Sequence, residues 1–285
     1  MLWENLREPE FKDAVKASNG VCLVPIGCLE RHGPHSPIGT DIIIAEGVTR
    51  EAADIEPCVV FPTMYFGDKT GAGEFAGTVI FSEATRWAIF KETCNEICRN
   101  GFNKILFCNG HGGNNAMLSA FCRAMMQENP KVMTFYGDVG AVTLSYKGYQ
   151  MIVDDKEKYS YLTDEDRAIF TDFIENKKQH GHACIYETGT AYSYRPETVR
   201  LDLIKTESGD SNHRFDEFAK YKINTHFSWM GNYPNSYSAS NDYEMNERIA
   251  RSLRDSSVYE MVEWIKFLKN ETISNEYHAE WINKQ

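Results

Sequence analysis

Residues 21–41 read VCLVPIGCLERHGPHSPIGTD and combine an apolar run with a dense group of ionisable side chains. The run from Val21 to Ile26 predicts a buried strand, which Gly27 ends. Ionisable side chains packed this densely either repel neighbours of like charge or must give up their hydration. Bound cations would offset both costs. The stretch therefore predicts a divalent metal site at the C-terminal end of a strand, where open α/β sheets bind ligands. Its candidate ligands are Glu30, His32, His35 and Asp41, and Asp41 alone could instead be a helix N-cap.

A second candidate ligand lies in a glycine-rich turn between a predicted strand and a predicted helix. Residues 105–108 are apolar enough for a buried strand, the turn reads NGHGGN, and a helical stripe begins at Asn114. Such a turn could bind phosphate at the helix N-terminus, but it lacks the lysine and hydroxyl residue of a P-loop. We therefore favour His111 as a metal ligand and keep phosphate binding as a minor alternative.

The third cluster, HGHACIYET, contains His180, His182 and Glu187 and is expected to follow or flank another strand. Strands that alternate with helices predict an α/β fold with a mostly parallel sheet and helices on both faces. The strand ends then meet at one edge, where the three clusters can converge. Imidazoles mixed with carboxylates suit Zn, Mn or Fe better than Ca or Mg, and more than four candidate ligands favour a two-metal site.

Composition argues against some classes of partner. The 285 residues carry a net charge of −11, which disfavours non-specific binding to nucleic acid or to an anionic membrane. The longest apolar runs are strand-sized, so neither a transmembrane span nor a signal peptide is expected. With eight cysteines and no secretion signal, we expect free thiols and a cytoplasmic protein.

The other predicted elements carry less chemistry. Residues 68–78 are rich in glycine and predict a mobile active-site loop or a plain surface turn. Residues 138–161 have poor periodicity and several tyrosines, which suggests a lid or an intersubunit segment. No domain boundary is visible, so residues 1–285 are expected to form a single domain. Helices are predicted over residues 3–17, 83–100, 163–178 and 188–194, and one long helix or a pair of helices over residues 241–270. A strand that runs into a loop is predicted over residues 57–67, and a further strand over residues 131–137.

Three motifs, VPIGCLERHGPHSPIGTD, FCNGHGGNN and HGHACIYETGTAYSYRPETV, resemble those of the creatininase (creatinine amidohydrolase) family and occur in its order. The resemblance covers about residues 20–200 and implies a single three-layer α/β/α domain. It also implies two divalent metal ions per chain and hydrolysis of cyclic amides or related C–N bonds. The family further implies a homo-oligomer, which is a hexamer in creatininase itself.

The resemblance also implies a role for each matching residue. Glu30 and His111 resemble the ligands of one metal, His32 a ligand of the other, and Asp41 the carboxylate that bridges both. Creatininase has a second glutamate ligand where this chain has Gly113, so Glu187 is the candidate replacement. His182 resembles the catalytic histidine that transfers a proton to the leaving nitrogen. For His35 and His180 we prefer structural or supporting roles.

The resemblance to the family does not identify the substrate. Creatininase encloses creatinine with tryptophans that precede its catalytic histidine, whereas this chain has no tryptophan between Trp87 and Trp229. Its tyrosines at 146, 149, 159 and 161 are the aromatic residues of that region. We therefore expect a small cyclic amide or formamide other than creatinine. The alternatives are hydrolysis of a C–C bond in a cyclic, inositol-derived diketone, and a non-catalytic ring subunit that retains the metals.

Overall fold

The computed structural model describes residues 1–69 and 71–284, and its centre is a four-stranded parallel sheet. β1 pairs with β3 from Val21 opposite Lys104 to Ile26 opposite Asn109. Since these strands run in the same direction, their carboxyl ends finish side by side. The strands are β1 (Val21–Ile26), β2 (Val59–Val60), β3 (Lys104–Asn109) and β4 (Met133–Asp138), in the order β2-β1-β3-β4.

Side chains of β1 alternate between two apolar clusters, one on each face of the sheet. Leu23 belongs to one cluster and Val24 to the other, and every residue of the strand is buried. A strand covered on both faces has no polar side, which explains why its sequence is a continuous apolar run. The predicted α/β class, with three α/β/α layers and a mostly parallel sheet, is confirmed.

The two faces are covered by different helices. The Leu23 cluster includes residues of α2 (Thr40–Ile55), α5 (Tyr146–Asp154), α6 (Asp164–Glu175), α7 (Ile185–Tyr194) and α10 (Glu247–Asn270). The Val24 cluster includes residues of α1 (Phe11–Ala17), α3 (Glu83–Arg99) and α4 (Asn114–Glu128). The other helices are α8 (Asp216–Lys220), α9 (Phe227–Asn232), α11 (Ile273–Lys284) and 3-10 turns at Trp3–Asn5, Glu8–Glu10, Pro196–Thr198 and Leu201–Thr206.

Proline interrupts two of the predicted elements. Residues 3–17 do not form one helix, because two 3-10 turns precede α1 and Pro9 lies in the second of them. The strand predicted within residues 57–67, where it is expected to run into a loop, is limited to β2, since Pro62 has no N–H for the ladder. Pairing with β1 returns only at the single bridge between Ile26 and Met64.

The buried tyrosines of residues 138–161 do not form the predicted lid. Residues 146–154 form α5, and Tyr149 is fully buried, with its ring 5.5 Å from that of Phe170 and 5.9 Å from that of Phe173. Tyr159 is buried as well. Large apolar rings that pack this way belong to the core, so a lid built from these tyrosines is wrong. The alternative, an intersubunit segment, stays a prediction.

The C-terminal part differs from the predictions mainly at element boundaries. α10 begins at Glu247 rather than residue 241, because Asn246 caps it by accepting hydrogen bonds from the N–H groups of Arg248 and Ile249. All eight cysteines are free thiols, as predicted. Among the described residues, no helix combines the length and apolar character that crossing a membrane requires.

Candidate metal centre

Two glycines allow helix α2 to approach the ends of β1 and β3. A Cβ on Gly27 would lie 2.7 Å from the carbonyl carbon of Asp41, and a Cβ on Gly110 would lie 2.3 Å from its carbonyl oxygen. Any larger residue at either position would push α2 away. This close packing places the Asp41 side chain, in the first turn of α2, beside the side chains that follow β1 and β3.

Asp41 presents its two carboxylate oxygens to two different imidazoles. Oδ1 lies 2.9 Å from Nε2 of His32, and Oδ2 lies 3.1 Å from Nδ1 of His111. The side chain is fully buried. Burial alone would raise its pKa, but the two histidines lower it below its usual range. A buried, ionised carboxylate with one oxygen on each side has the form of a bridge between two cations.

A first group of metal-capable atoms lies on the Oδ2 side. Oε1 of Glu30 is 2.8 Å from Nδ1 of His111. Sγ of Cys28 is 3.1 Å from Oδ2 of Asp41 and 3.5 Å from Oε1 of Glu30. These four residues are all buried, and their donor atoms lie within 4.8 Å of one another. They combine sulfur, nitrogen and oxygen donors, as sites for transition-metal ions do.

A second group lies on the Oδ1 side and is completed by a helix. Nε2 of His32 is 4.0 Å from Oε2 of Glu187, in the first turn of α7. The N–H of Ala183 donates to the same Oε2 at 2.5 Å, and Ala183 adopts a φ of 63°, which alanine rarely takes. That turn orients Glu187 towards Asp41, so His32, Asp41 and Glu187 form a three-residue group.

Backbone carbonyls orient the two histidines that face Asp41. Nδ1 of His32 donates to the carbonyl of Glu30 at 3.1 Å, which leaves Nε2 directed at the donor groups. Nε2 of His111 donates to the carbonyl of Asp68 at 2.8 Å, which leaves Nδ1 directed at them. Metal-binding histidines are commonly held in this way by their second nitrogen. The residues therefore fit divalent cations.

Burial and neighbouring charges shift the pKa values of the buried acids and histidines of the site. Burial alone would lower the pKa of His32, but Asp41 and the two glutamates raise it to about 9. Burial would raise the pKa of Glu30, but the neighbouring histidines lower it well below its usual range. Burial raises the pKa of Glu187 to about 7. Glu30 and Asp41 thus remain ionised in a buried site, which favours the binding of cations.

The NGHGGN turn is filled by its own amide side chains. Nδ2 of Asn109 donates to the carbonyl of His111 at 2.7 Å and to Oδ1 of Asp138 at 2.7 Å. Oδ1 of Asn114 accepts from the N–H of Asp68 at 2.6 Å and so holds the segment whose carbonyl orients His111. This network supports a turn that positions a histidine.

His182 lies beside both groups but reaches them from a loop between two helices. The expectation that its cluster follows or flanks a strand is wrong, because the preceding element is α6 and the next is α7. Its Nε2 is 2.7 Å from the carbonyl of Arg31 and 3.6 Å from Oε2 of Glu30. Burial lowers the pKa of His182 to about 4, so its ring is neutral at neutral pH.

A cavity of about 540 Å³ opens onto the site. His111, His182 and Glu187 line it together with two residues that sequence reasoning missed, Lys69 and Trp229. The Nζ atom of Lys69 is 2.5 Å from Oε2 of Glu30 and 4.5 Å from the centre of the Trp229 ring, which lies 5.4 Å from the His182 ring. The active-site loop predicted over residues 68–78 includes Lys69. Thr70, in the same segment, lies outside the described residues. Nothing in the sequence around Trp229 indicated a site.

The other two candidate histidines lie outside the donor groups. Nε2 of His35 is 2.8 Å from Oγ1 of Thr188, and burial lowers the pKa of His35 to about 4. The ring of His180 packs against that of Tyr146, with 4.5 Å between centroids. Neither lines the cavity. His35 thus ties the ligand loop to α7, and His180 packs against the core.

Comparison with known proteins identifies related sequences. A family model described as creatininase, creatinine amidohydrolase, matches residues 4–265. The chain is 25% identical over 202 residues to the creatinine amidohydrolase of Pseudomonas putida, covering 68% of this chain and 72% of that protein. It is 33% identical over 116 residues to the mycofactocin precursor peptide peptidase of Mycobacterium ulcerans, covering 37% of this chain and 46% of that protein.

Solved structures share the fold. The crystal structure of creatinine amidohydrolase aligns with a TM-score of 0.67 at 18% identity, covering 95% of this chain and 98% of that one. A creatininase structure described with manganese gives 0.68 at 18% identity, covering 95% and 99%. A mutant creatininase described as the Zn–Zn type gives 0.67 at 16% identity, covering 95% and 98%. At these identities the likeness shows the fold alone.

Proposed function

Because the chain belongs to the creatininase family, we propose that it is a metal-dependent amidohydrolase with two divalent metal ions per chain. Its substrate would be a small cyclic amide or formamide, cleaved at a C–N bond. The observation that carries the proposal is the buried Asp41, whose two oxygens face the imidazoles of His32 and His111. The alternative role as a helix cap does not apply, because the N-cap of α2 is Gly39 and Asp41 lies within the first turn.

The proposed ligands fall into two groups that share Asp41. Glu30, Asp41 and His111 would hold one ion, and His32, Asp41 and Glu187 the other. Zinc, manganese and iron all suit such oxygen and nitrogen donors. When bound, the two ions would supply a hydroxide nucleophile at neutral pH and polarise the scissile carbonyl.

His182 is proposed as the group that moves a proton. Its Nε2 must donate to the carbonyl of Arg31, because a carbonyl can only accept. In the neutral ring the hydrogen is therefore on Nε2, and Nδ1 is the atom that can take up a proton. His182 lines the cavity, so we propose that it passes that proton to the leaving nitrogen of a substrate bound there.

The cavity supports a small substrate. About 540 Å³ is within the range of small-molecule sites. Peptide cleavage is a second candidate, favoured by the 33% identity to the mycofactocin precursor peptide peptidase over part of both chains.

We also propose that residues 1–285 act as one creatininase-like domain in a cytoplasmic homo-oligomer, a hexamer by family resemblance.

The proposed function is tested by metal content and turnover together. We expect about two divalent ions per purified chain, and turnover of at least one compound in a panel of lactams, formamides and short peptides. A chelator should abolish that turnover and added metal should restore it. Turnover of cyclic diketones alone would favour C–C bond hydrolysis. A fully metallated but inactive protein would favour a non-catalytic role, and failure to take up metal would refute the proposal.

Replacement of Trp229 by alanine is expected to raise KM roughly tenfold and to change kcat much less. The indole forms one wall of the cavity beside His182, and loss of an aromatic contact of this kind costs about 1 kcal/mol or somewhat more. Steady-state kinetics on the substrate found in the panel would measure this. Phe227→Ala is the matched control, because Phe227 lies on the same helix and is 65% exposed. An unchanged KM in Trp229→Ala would show that the indole of Trp229 does not contact the substrate.

A further inference from the structure

Cys28 adds a sulfur atom to the group formed by Glu30, Asp41 and His111. We propose that Cys28 Sγ is a ligand of the metal ion held by those residues, which makes four protein ligands at that position. The proposal rests on the proposed function, since it requires that the ion binds there. Sγ is 3.1 Å from Oδ2 of Asp41 and 3.5 Å from Oε1 of Glu30.

The spacing of the donor atoms supports this assignment. In a tetrahedral zinc site, bonds of about 2.0 Å to nitrogen or oxygen and about 2.3 Å to sulfur separate neighbouring donors by about 3.3 to 3.5 Å. The four distances that join Cys28 and His111 to Glu30 and Asp41 lie between 2.8 and 3.5 Å. Small outward movements of these side chains are therefore enough to surround an ion.

Cys28 also differs from the other buried cysteines in its surroundings. A buried cysteine usually behaves as a small apolar residue of the core. Five of the six buried cysteines belong to the apolar clusters on the two faces of the sheet, and Cys28 belongs to neither. Its Sγ lies beside two carboxylate oxygens and in the same group of donor atoms as His111. Core packing therefore does not explain its position at the end of β1.

A thiolate ligand would make the two metal positions unequal. Sulfur favours zinc and other thiophilic ions over manganese, whereas His32, Asp41 and Glu187 supply only nitrogen and oxygen. Structural zinc ions usually have four protein ligands, whereas three protein ligands leave a coordination position for water or substrate. The Cys28 position should therefore retain zinc more tightly than the second position.

The test is X-ray absorption at the zinc edge of the protein loaded with about two zinc ions per chain. We expect a sulfur shell at about 2.3 Å, equivalent to about half a sulfur per zinc. Cys28→Ser should lose the shell and bind its tighter zinc ion at least about tenfold more weakly. Cys94→Ser, an equally buried cysteine in an apolar cluster, should keep both properties.

The outcomes separate this inference from the proposed function. Two zinc ions per chain without a sulfur shell would overturn the role of Cys28 and leave the two-metal hydrolase intact. A shell that persists in Cys28→Ser would also overturn it. A protein that takes up no metal would refute both. Should Cys28→Ser fail to fold, the wild-type spectrum decides, because a centre of only nitrogen and oxygen ligands has no scatterer at the sulfur distance.

Discussion

Replacement of Asp41 by alanine is expected to remove both metal ions and to lower activity roughly a thousandfold or more. Asp41 is the one residue common to the group with Glu30 and His111 and the group with His32 and Glu187. Its loss would leave each ion with fewer ligands and leave both imidazoles without the carboxylate that faces them. The measurement is elemental analysis of metal content per chain, together with turnover of the substrate identified in the panel.

The matched control for this variant is Asp54→Ala. Asp54 lies on the same helix, α2, but is exposed, so its removal should change neither metal content nor turnover. Because removing one partner of a buried charge pair can itself destabilise a protein by about 3–5 kcal/mol, Asp41→Asn provides a milder variant with nearly the same shape. Circular dichroism would show that each variant is folded. Retention of both ions by folded Asp41→Ala would refute the bridging role.

Replacement of His182 by glutamine is expected to lower kcat by about a hundredfold to ten-thousandfold while the metal content stays at the wild-type level. The neutral imidazole would no longer be there to accept a proton and deliver it to the leaving group. KM should change little, because His182 is not assigned the binding of substrate. Metal analysis and steady-state kinetics on the same preparation measure both quantities.

His180→Gln is the control for this second variant. His180 lies two residues earlier in the same loop, packs against Tyr146, and does not line the cavity, so its replacement should leave kcat nearly unchanged. The structure also offers a competing role for His182, since it forms a metal-capable group with Glu30 and His32. Loss of metal in His182→Gln would favour that ligand role over proton transfer.

Family resemblance and residue type predict five metal ligands, and the structure brings these five side chains together at the carboxyl ends of β1 and β3, whereas His35 lies outside the donor groups. Glu30, His32, Asp41, His111 and Glu187 lie in two overlapping groups, with His182 beside them. Their convergence depends on β1 and β3 being parallel neighbours, which a pattern of alternating strands and helices predicts. The expectation that the third cluster follows or flanks a strand is wrong, because His182 lies in the loop between α6 and α7 and Glu187 lies in the first turn of α7.

Aromatic and basic residues at the cavity illustrate what sequence patterns leave out. Tyr149 and Tyr159 looked suited to cover a substrate, yet they fill the core. Trp229, on the short helix α9, lines the cavity instead, and Lys69 reaches Glu30 from a loop. Periodicity in the sequence separates buried from exposed positions, but a buried ring satisfies that pattern equally well in a core or in a ligand site.

The sequence by itself determined the elements that depend on near neighbours. The apolar run of β1, with its bounds Val21–Ile26, and the start of α4 at Asn114 follow from local burial patterns and turn chemistry. Tertiary structure alone decided that α2 packs against Gly27 and Gly110, so that Asp41 faces two histidines. It also decided that Cys28 faces carboxylates. The physical reason is that a strand or helix is encoded within a few residues, whereas the surroundings of a side chain depend on how distant elements pack across the sheet.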